Sequence, residues 1–189
     1  MTESYRLKKI ANLVSDKNTV LDLGCSSLPN PFFNNENVIG IDLVPTDLPD
    51  NYASFKQCDV MSLSESFINM KVDAITAGEL IEHLEEPVRF LKECYETLED
   101  GGILVLSTPN PNSFAERLLT LNLSSRFFYT KEHIMLYPQR WLIRIMNIAG
   151  FGNVKLYSGG MFFPFISTIP FPRPWCYQTI AAGVKKKNS

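Results

Sequence analysis

Leu7, Ile10, Ala11 and Val14 recur at three- and four-residue intervals, which predicts an amphipathic helix over about residues 3–16. Short β-type apolar runs then follow at 19–23, 38–41, 54–58, 72–76 and 103–106, most ending at Gly or Asp. Between the fourth and fifth runs, Pro87 stands where a first helical position belongs. Val88, Leu91, Tyr95 and Leu98 mark one face of the helix it starts, and Gly101-Gly102 is the expected stop. Residues 112–121 can be helical. Pro138 opens another helix, with Trp141, Leu142, Ile145, Ile148 and Ala149 predicted on its inward side and Gly150 after it. The last two β-type runs are 154–157 and 178–184. Strands that alternate with helices predict an α/β domain whose parallel sheet is covered on both faces.

The stretch 160–175 breaks this rhythm. It is rich in Phe and carries Pro164, Pro170, Pro172 and Pro174, too many prolines for a helix, so it is not read as a membrane span. We see no internal repeat and no linker. The organisation is therefore one domain over 1–189: an N-terminal helix (1–17), a ligand-binding core (18–157), a Phe/Pro-rich cap (158–176), and a last strand with a basic tail (177–189).

Composition narrows the class. The 189 residues fit a single domain, and 45% hydrophobic with 20% charged residues is ordinary for a globular chain. A net charge of −2 gives no bulk electrostatic case for nucleic acid. Cys25, Cys58, Cys94 and Cys176 are far apart, which argues against a disulfide framework or a structural zinc and suits a cytoplasmic location. The N-terminus shows no apolar signal-peptide core.

Ligands of doubly wound sheets bind beyond the carboxyl ends of the strands. Polar residues sit where each early strand stops: Asp22 and Gly24, Asp42, Asp59, then Gly78 and Glu79. Asp42, about 20 residues past the first turn, is placed to accept two hydrogen bonds from a ribose diol. Asp59 could accept from an adenine amino group. The competing reading is that acids simply favour strand ends and caps. A dinucleotide fingerprint needs three glycines spaced to cradle pyrophosphate. Here Ser26 and Pro29 follow Gly24 at the other two positions. A nucleoside without phosphates needs only the first close approach, which favours S-adenosylmethionine over NAD or FAD.

Six segments, in order, resemble the class I S-adenosylmethionine-dependent methyltransferases: Val20-Leu-Asp-Leu-Gly-Cys25, Val38-Ile-Gly-Ile-Asp42, Cys58-Asp59-Val60, Ala77-Gly-Glu-Leu-Ile-Glu-His-Leu84, Asp100-Gly-Gly-Ile-Leu-Val-Leu-Ser-Thr-Pro-Asn110 and Gly150-Phe151. The branch is similar to the ubiquinone-biosynthesis O-methyltransferases and to glycan and natural-product methyltransferases, over about 18–157. The resemblance implies a Rossmann-like, doubly wound, seven-stranded sheet with the last strand antiparallel, in three αβα layers. It also implies S-adenosylmethionine as cofactor and S-adenosylhomocysteine as product. Asp22 and Gly24 would line the methionine end, Asp42 and Leu43 the ribose, Asp59 and Val60 the adenine edge, and Ala77, Gly78 and Glu79 the amino-acid group. The first loop departs from the family: Cys25-Ser26-Ser27-Leu28-Pro29 replaces its glycine-rich turn, and the helix that follows is expected to be short.

Methyl transfer to oxygen needs alignment and removal of a proton. His83 and His133 are the two candidate bases. On a helix, Glu79 and His83 would share a face. Glu79, Glu82, His83 and His133 also resemble the Glu-x-x-Glu-His and distant His of the small-RNA 2′-O-methyltransferases, where such residues bind a divalent ion. The competing reading assigns Glu79 to the cofactor and makes Glu82 a helix-start acid in solvent. Eight acids between Glu79 and Asp100 disfavour an RNA substrate. Arg126, Lys131 and Arg173 could greet an anionic acceptor. The segment from Met161 to Trp175 is read as a cap over the acceptor, or as a surface for a membrane or partner. The expected function is O-methylation of a small-molecule, lipid-linked or glycan acceptor. The alternatives are a catalytically silent binding domain and an NAD-type oxidoreductase.

Overall fold

The computed structural model describes residues 3–113, 133–163 and 167–186, and side chains are not described for 162–168. Residues 114–121 of the helix predicted at 112–121, and the bases Arg126 and Lys131, therefore lie outside the described residues; Asn112 and Ser113 form a turn.

Helix α1 (Ser4–Leu13) leads into β1 (Thr19–Leu23), β2 (Asn37–Asp42) and β3 (Ser54–Gln57). The short α2 (Leu63–Ser66), β4 (Val72–Gly78), α3 (Pro87–Thr97) and β5 (Leu98–Pro109) follow, then α4 (Gln139–Ile148), β6 (Gly152–Ser158), β7 (Met161–Phe163), β8 (Ser167–Ile169) and β9 (Gln178–Val184). Seven strands form one sheet in the order β3-β2-β1-β4-β5-β9-β6. The first five pair in parallel, and β9 runs antiparallel between β5 and β6. This is the predicted doubly wound architecture with its antiparallel last strand.

Alternation of side chains along each strand builds two cores. Leu21, Leu23, Ile75, Ala77, Leu104 and Leu106 face α2, α3 and α4, meeting Phe90, Leu91, Leu142 and Met146. Val20, Val38, Ala74, Val105 and Ile180 face the other way, against Ile10, Ala11 and Val14 of α1. Among the described residues the helix of that second layer is α1, and β8 lies alongside it. No helix joins β1 to β2, where a short one was expected. The connection instead packs Phe33 edge-on to Tyr52, 6.0 Å between ring centres.

Two helix readings need correction. Helix α3 ends at Thr97, four residues before Gly101, and Leu98 is already extended. Gly101 at φ 85° and Gly102 serve a bend within β5: a Cβ on Gly102 would meet the Glu99 carbonyl at 2.9 Å. On α4, Leu142 and Met146 are buried, whereas Trp141 is 60% and Ile148 56% exposed. Residues 142, 146 and 149 form the inward stripe at i, i+4, i+7; 141 and 148 are seven apart on the next stripe outward.

The Phe/Pro segment forms a separate antiparallel pair, β7 with β8, and β8 lies alongside α1. The turn Arg173–Trp175 follows, and the Asn110 amide at the end of β5 donates to the carbonyls of Pro174 and Cys176. All four cysteines are unpaired and buried. No helix among the described residues is long and apolar enough to cross a membrane.

Candidate functional site

The cleft opens at the carboxyl ends of β1, β2 and β4. Its volume is about 510 Å³, and its lining includes Gly24, Asp42, Leu43, Asp59, Val60, Gly78, Glu79 and His83. Parallel strands that stop at the same level bring these tips together. Gly24 turns the chain there at φ 73°, a conformation that L side chains resist.

Each expected acid has a defined setting. Asp42 accepts from the Ser26 and Val44 amides, one on each carboxylate oxygen, so Ser26 supplies the loop closure expected of a glycine-rich turn. Asp59 caps the 3₁₀ turn Val60–Ser62 by accepting from the Met61 amide. Asp22 lies deeper, on the α1 side, register partner of Thr76. It accepts from Tyr52 Oη at 2.5 Å and Thr76 Oγ1 at 2.6 Å. Burial pushes its carboxyl up to about 6, against the opposing effect of those two hydroxyls.

Arg6, which sequence reading missed, reaches this region from α1. It is 3% exposed, and its guanidinium donates to Glu3 at 2.8 Å and to Ser107 Oγ at 2.8 Å. Ser107 in turn donates to Glu79, whose carboxylate lies 4.0 Å from Arg6. A Cβ on Gly78 would sit 2.8 Å from Arg6 Nη1. A smaller pocket beneath the cleft floor is lined by Arg6, Asp22, Gly24, Asn30, Thr76 and Gly78. The signal available in the sequence was Arg6 one residue before Leu7, on the inward side of α1.

Glu79 departs from expectation. Its φ is 52°, and only Ile81–His83 beyond it makes a short 3₁₀ turn. Glu79 and His83 therefore do not share a helix face. Burial raises the Glu79 carboxyl, while Arg6, Gln178 and Ser107 oppose that rise. Glu82 is not a solvated acid: it is 0% exposed, and neither carboxylate oxygen has a hydrogen-bond partner among the described residues. Burial, then the nearby Glu79 charge, pushes it up to about 8.

The Glu82 carbonyl accepts from the Ile134 and Met135 amides, which brings the segment after residue 132 back onto the site. That contact sets His133 against His83, ring centres 4.8 Å apart and 73° between planes. Donor atoms of Glu82, His83 and His133 all lie within 4.8 Å of one another. Of the four residues expected to bind metal, these three converge, and Glu79 turns to Ser107 and Arg6.

A family model described as a methyltransferase domain matches residues 4–156. A ubiquinone biosynthesis O-methyltransferase from Cereibacter sphaeroides is 30% identical over 111 residues, which are 51% of this chain and 44% of that protein. The chain thus spans less than half the length of that relative. Among solved structures, a SAM-dependent methyltransferase from Archaeoglobus fulgidus aligns at TM-score 0.71 and 17% identity, covering 96% and 92% of the two chains. The small RNA methyltransferase HEN1 aligns at TM-score 0.69 and 17% identity over 97% of this chain and 26% of its own.

Proposed function

Because the chain belongs to the family of S-adenosylmethionine-dependent methyltransferases, we propose that it moves the cofactor's methyl to an oxygen of a small-molecule, lipid-linked or glycan acceptor. The observation that supports this reading is the cleft itself. It presents Asp42 and Asp59 at successive strand tips around Gly24, and Ser26 and Pro29 stand where a pyrophosphate cradle would need glycine. That pattern suits an adenosyl group without phosphates.

Asp42 and Leu43 hold the ribose, Asp59 and Val60 the adenine edge, and Ala77, Gly78 and Glu79 the amino-acid end. Arg6 is placed for the cofactor's carboxylate, through the guanidinium hydrogens that Glu3 and Ser107 leave over. Asp22 and Glu79 put negative charge near the sulfonium and ammonium. Transfer is an in-line displacement: the acceptor oxygen forms a bond to the methyl carbon as the carbon–sulfur bond breaks. Catalysis comes first from alignment. His83, in the cleft wall, and His133 beside it are the groups that receive the acceptor's proton, worth typically ~10²–10⁴-fold.

Calorimetry with S-adenosylmethionine, S-adenosylhomocysteine and NAD tests the reading. The first two should bind and NAD should not; NAD binding alone would point to an oxidoreductase. Cofactor binding with no turnover on any acceptor would favour a silent binding domain. Asp42→Ala should cost the cofactor ~1–3 kcal/mol through lost charged hydrogen bonds.

The buried Glu82 carboxylate, without a hydrogen-bond partner among the described residues and beside two imidazoles, supports a second reading of the site, in which His83 and His133 are ligands and not the proton acceptors. The donor set of one carboxylate and two histidines fits Mn²⁺, Fe²⁺ or Co²⁺ better than Mg²⁺. Glu82, His83 and His133 would hold such an ion, which supplies Lewis acidity toward the acceptor hydroxyl. Dialysis against EDTA should then abolish turnover and spare S-adenosylhomocysteine binding. Full turnover in EDTA would remove the ion from the mechanism.

A further inference from the structure

The net charge of −2 hides a division along the chain. All twenty acids lie at or before Glu132, and seven of the eighteen basic residues lie beyond it. The first 132 residues therefore carry −9 and the last 57 carry +7. Both tryptophans of the protein, Trp141 and Trp175, fall in the acid-free part, and both are at least half exposed.

Helix α4 concentrates this character on one face. At 100° per residue, Arg140, Arg144, Ile148 and Trp141 fall within about 100° of arc, opposite the buried Leu142 and Met146. Arg140 and Arg144 are exposed, make no ion pair with a described residue, and repel each other at i, i+4. The Gln139 amide donates to the Arg173 carbonyl at 2.9 Å and so ties the start of α4 to the turn that carries Arg173 and Trp175. Arg173 is likewise exposed without an ion pair among the described residues.

We propose that this face, Arg140, Trp141, Arg144, Ile148, Arg173 and Trp175, docks on an anionic phospholipid surface. Exposed Trp beside unpaired Arg is what a membrane interface selects. The indole sits at headgroup depth with its apolar body inward, and the guanidinium meets lipid phosphate. No acid lies on α4 or in the turn Arg173–Trp175, so these two elements themselves present no carboxylate to a negative surface. A protein partner needs shape complementarity that a single helix face and one short turn do not display. RNA would also meet Asp42, Asp59 and Glu79 at the cleft. The membrane contact read from the sequence at Met161 to Trp175 thus shifts: of that segment, the proposal uses the Arg173–Trp175 turn, joined to α4.

The test is co-sedimentation of the full chain with vesicles of phosphatidylcholine alone, or with 30 mol% phosphatidylglycerol, in low salt. Tryptophan emission is followed in parallel, since both fluorophores lie on the face. Three arginines near the surface should favour the anionic vesicles on the order of 100-fold, with a blue shift on binding. Arg140→Glu with Arg144→Glu should lower vesicle affinity at least tenfold and leave S-adenosylhomocysteine affinity and thermal midpoint unchanged. Trp141→Phe tests the other half: the remaining blue shift then reports Trp175 alone. Equal affinity for both vesicle types, binding unaltered by the double charge reversal, or tighter binding of a single-stranded RNA at equal phosphate concentration would each overturn the proposal.

Discussion

Asp22 shows how one residue's setting governs pH response. Its carboxyl sits at about 6 in the fold against 3.8 in a model peptide, chiefly because burial disfavours the charged form. Between those values the folded protein binds more protons than the unfolded chain, so this group's contribution to stability falls as pH rises from about 4 to 6. The shift corresponds to about 3 kcal/mol at full effect. Urea melts of ligand-free protein should show that downward slope, and Asp22→Asn should flatten it; an unchanged slope would place the proton uptake elsewhere. Arg6 offers a second test at this scale. Arg6→Met should weaken S-adenosylmethionine by about 2–3 kcal/mol if the guanidinium meets the cofactor carboxylate, read by calorimetry with adenosine as the control whose affinity does not change. These two residues also mark what the sequence can and cannot disclose. The position of Asp42, Asp59 and Glu79 on the cleft was legible because parallel strands end on one side of the sheet, and an acid there is visible in the pattern; Asp22, one residue before the end of β1, lines the smaller pocket instead. Arg6 was not, because an arginine in an amphipathic helix ordinarily reads as solvated, and only the fold shows Ser107 and Glu79 waiting for it. Glu82 was misread for the same reason: an acid's burial depends on what packs over it from 50 residues away.

At the scale of elements, six of the seven sheet strands were read within two residues of their ends, because short apolar runs buried on both faces stop at Gly or Asp; β5 begins five residues before its apolar run at 103–106, and the β7–β8 pair was not read. Helix faces were less legible. An apolar residue on α4 can belong to the core stripe or to the stripe beside it, and the sequence holds Trp141, Leu142, Ile145, Ile148 and Ala149 without ranking them. The structure ranks them, and the ranking is measurable. Leu142→Ala should destabilise by about 2–5 kcal/mol through a lost contact and a cavity beside Met146. Trp141→Ala should stay within about 0.5 kcal/mol, as befits a side chain mostly in water. Paired chemical melts check both. Comparable losses would mean that α4 is rotated about its axis relative to the sheet. Gly24 sets the corresponding test for the turn after β1. A Cβ there meets Leu80 at an ordinary 3.4 Å, so space is available and backbone conformation is the constraint. Gly24→Ala should cost about 1–2 kcal/mol of stability.

The whole molecule sets one frame, the seven-stranded sheet, beneath a cleft assembled from parts distant in sequence: the ends of β1, β2 and β4 and the turn carrying His83, with α1 lining the smaller pocket and His133 packed against His83. Such a cleft brings several acids close together, and an organic cation that occupies it offsets their mutual repulsion. Ligand and fold are therefore linked, and the whole chain should respond to cofactor as one unit. A ligand that binds only the folded state at 100 times its dissociation constant adds about 2.7 kcal/mol. For a domain of this size each kcal/mol moves the thermal midpoint by roughly 2–4 °C, so S-adenosylmethionine should raise it by about 5–11 °C. S-adenosylhomocysteine, which lacks the sulfonium charge that Asp22 and Glu79 would face, should act in the same direction but need a higher concentration for the same shift above pH 6. NAD at equal concentration should leave the midpoint where it was. Differential scanning fluorimetry at pH 5 and pH 8 distinguishes these cases. A gap between the two nucleosides that closes at pH 5 would tie sulfonium recognition to the ionised acids of the cleft. A gap independent of pH would assign it to shape alone and remove Asp22 from cofactor recognition.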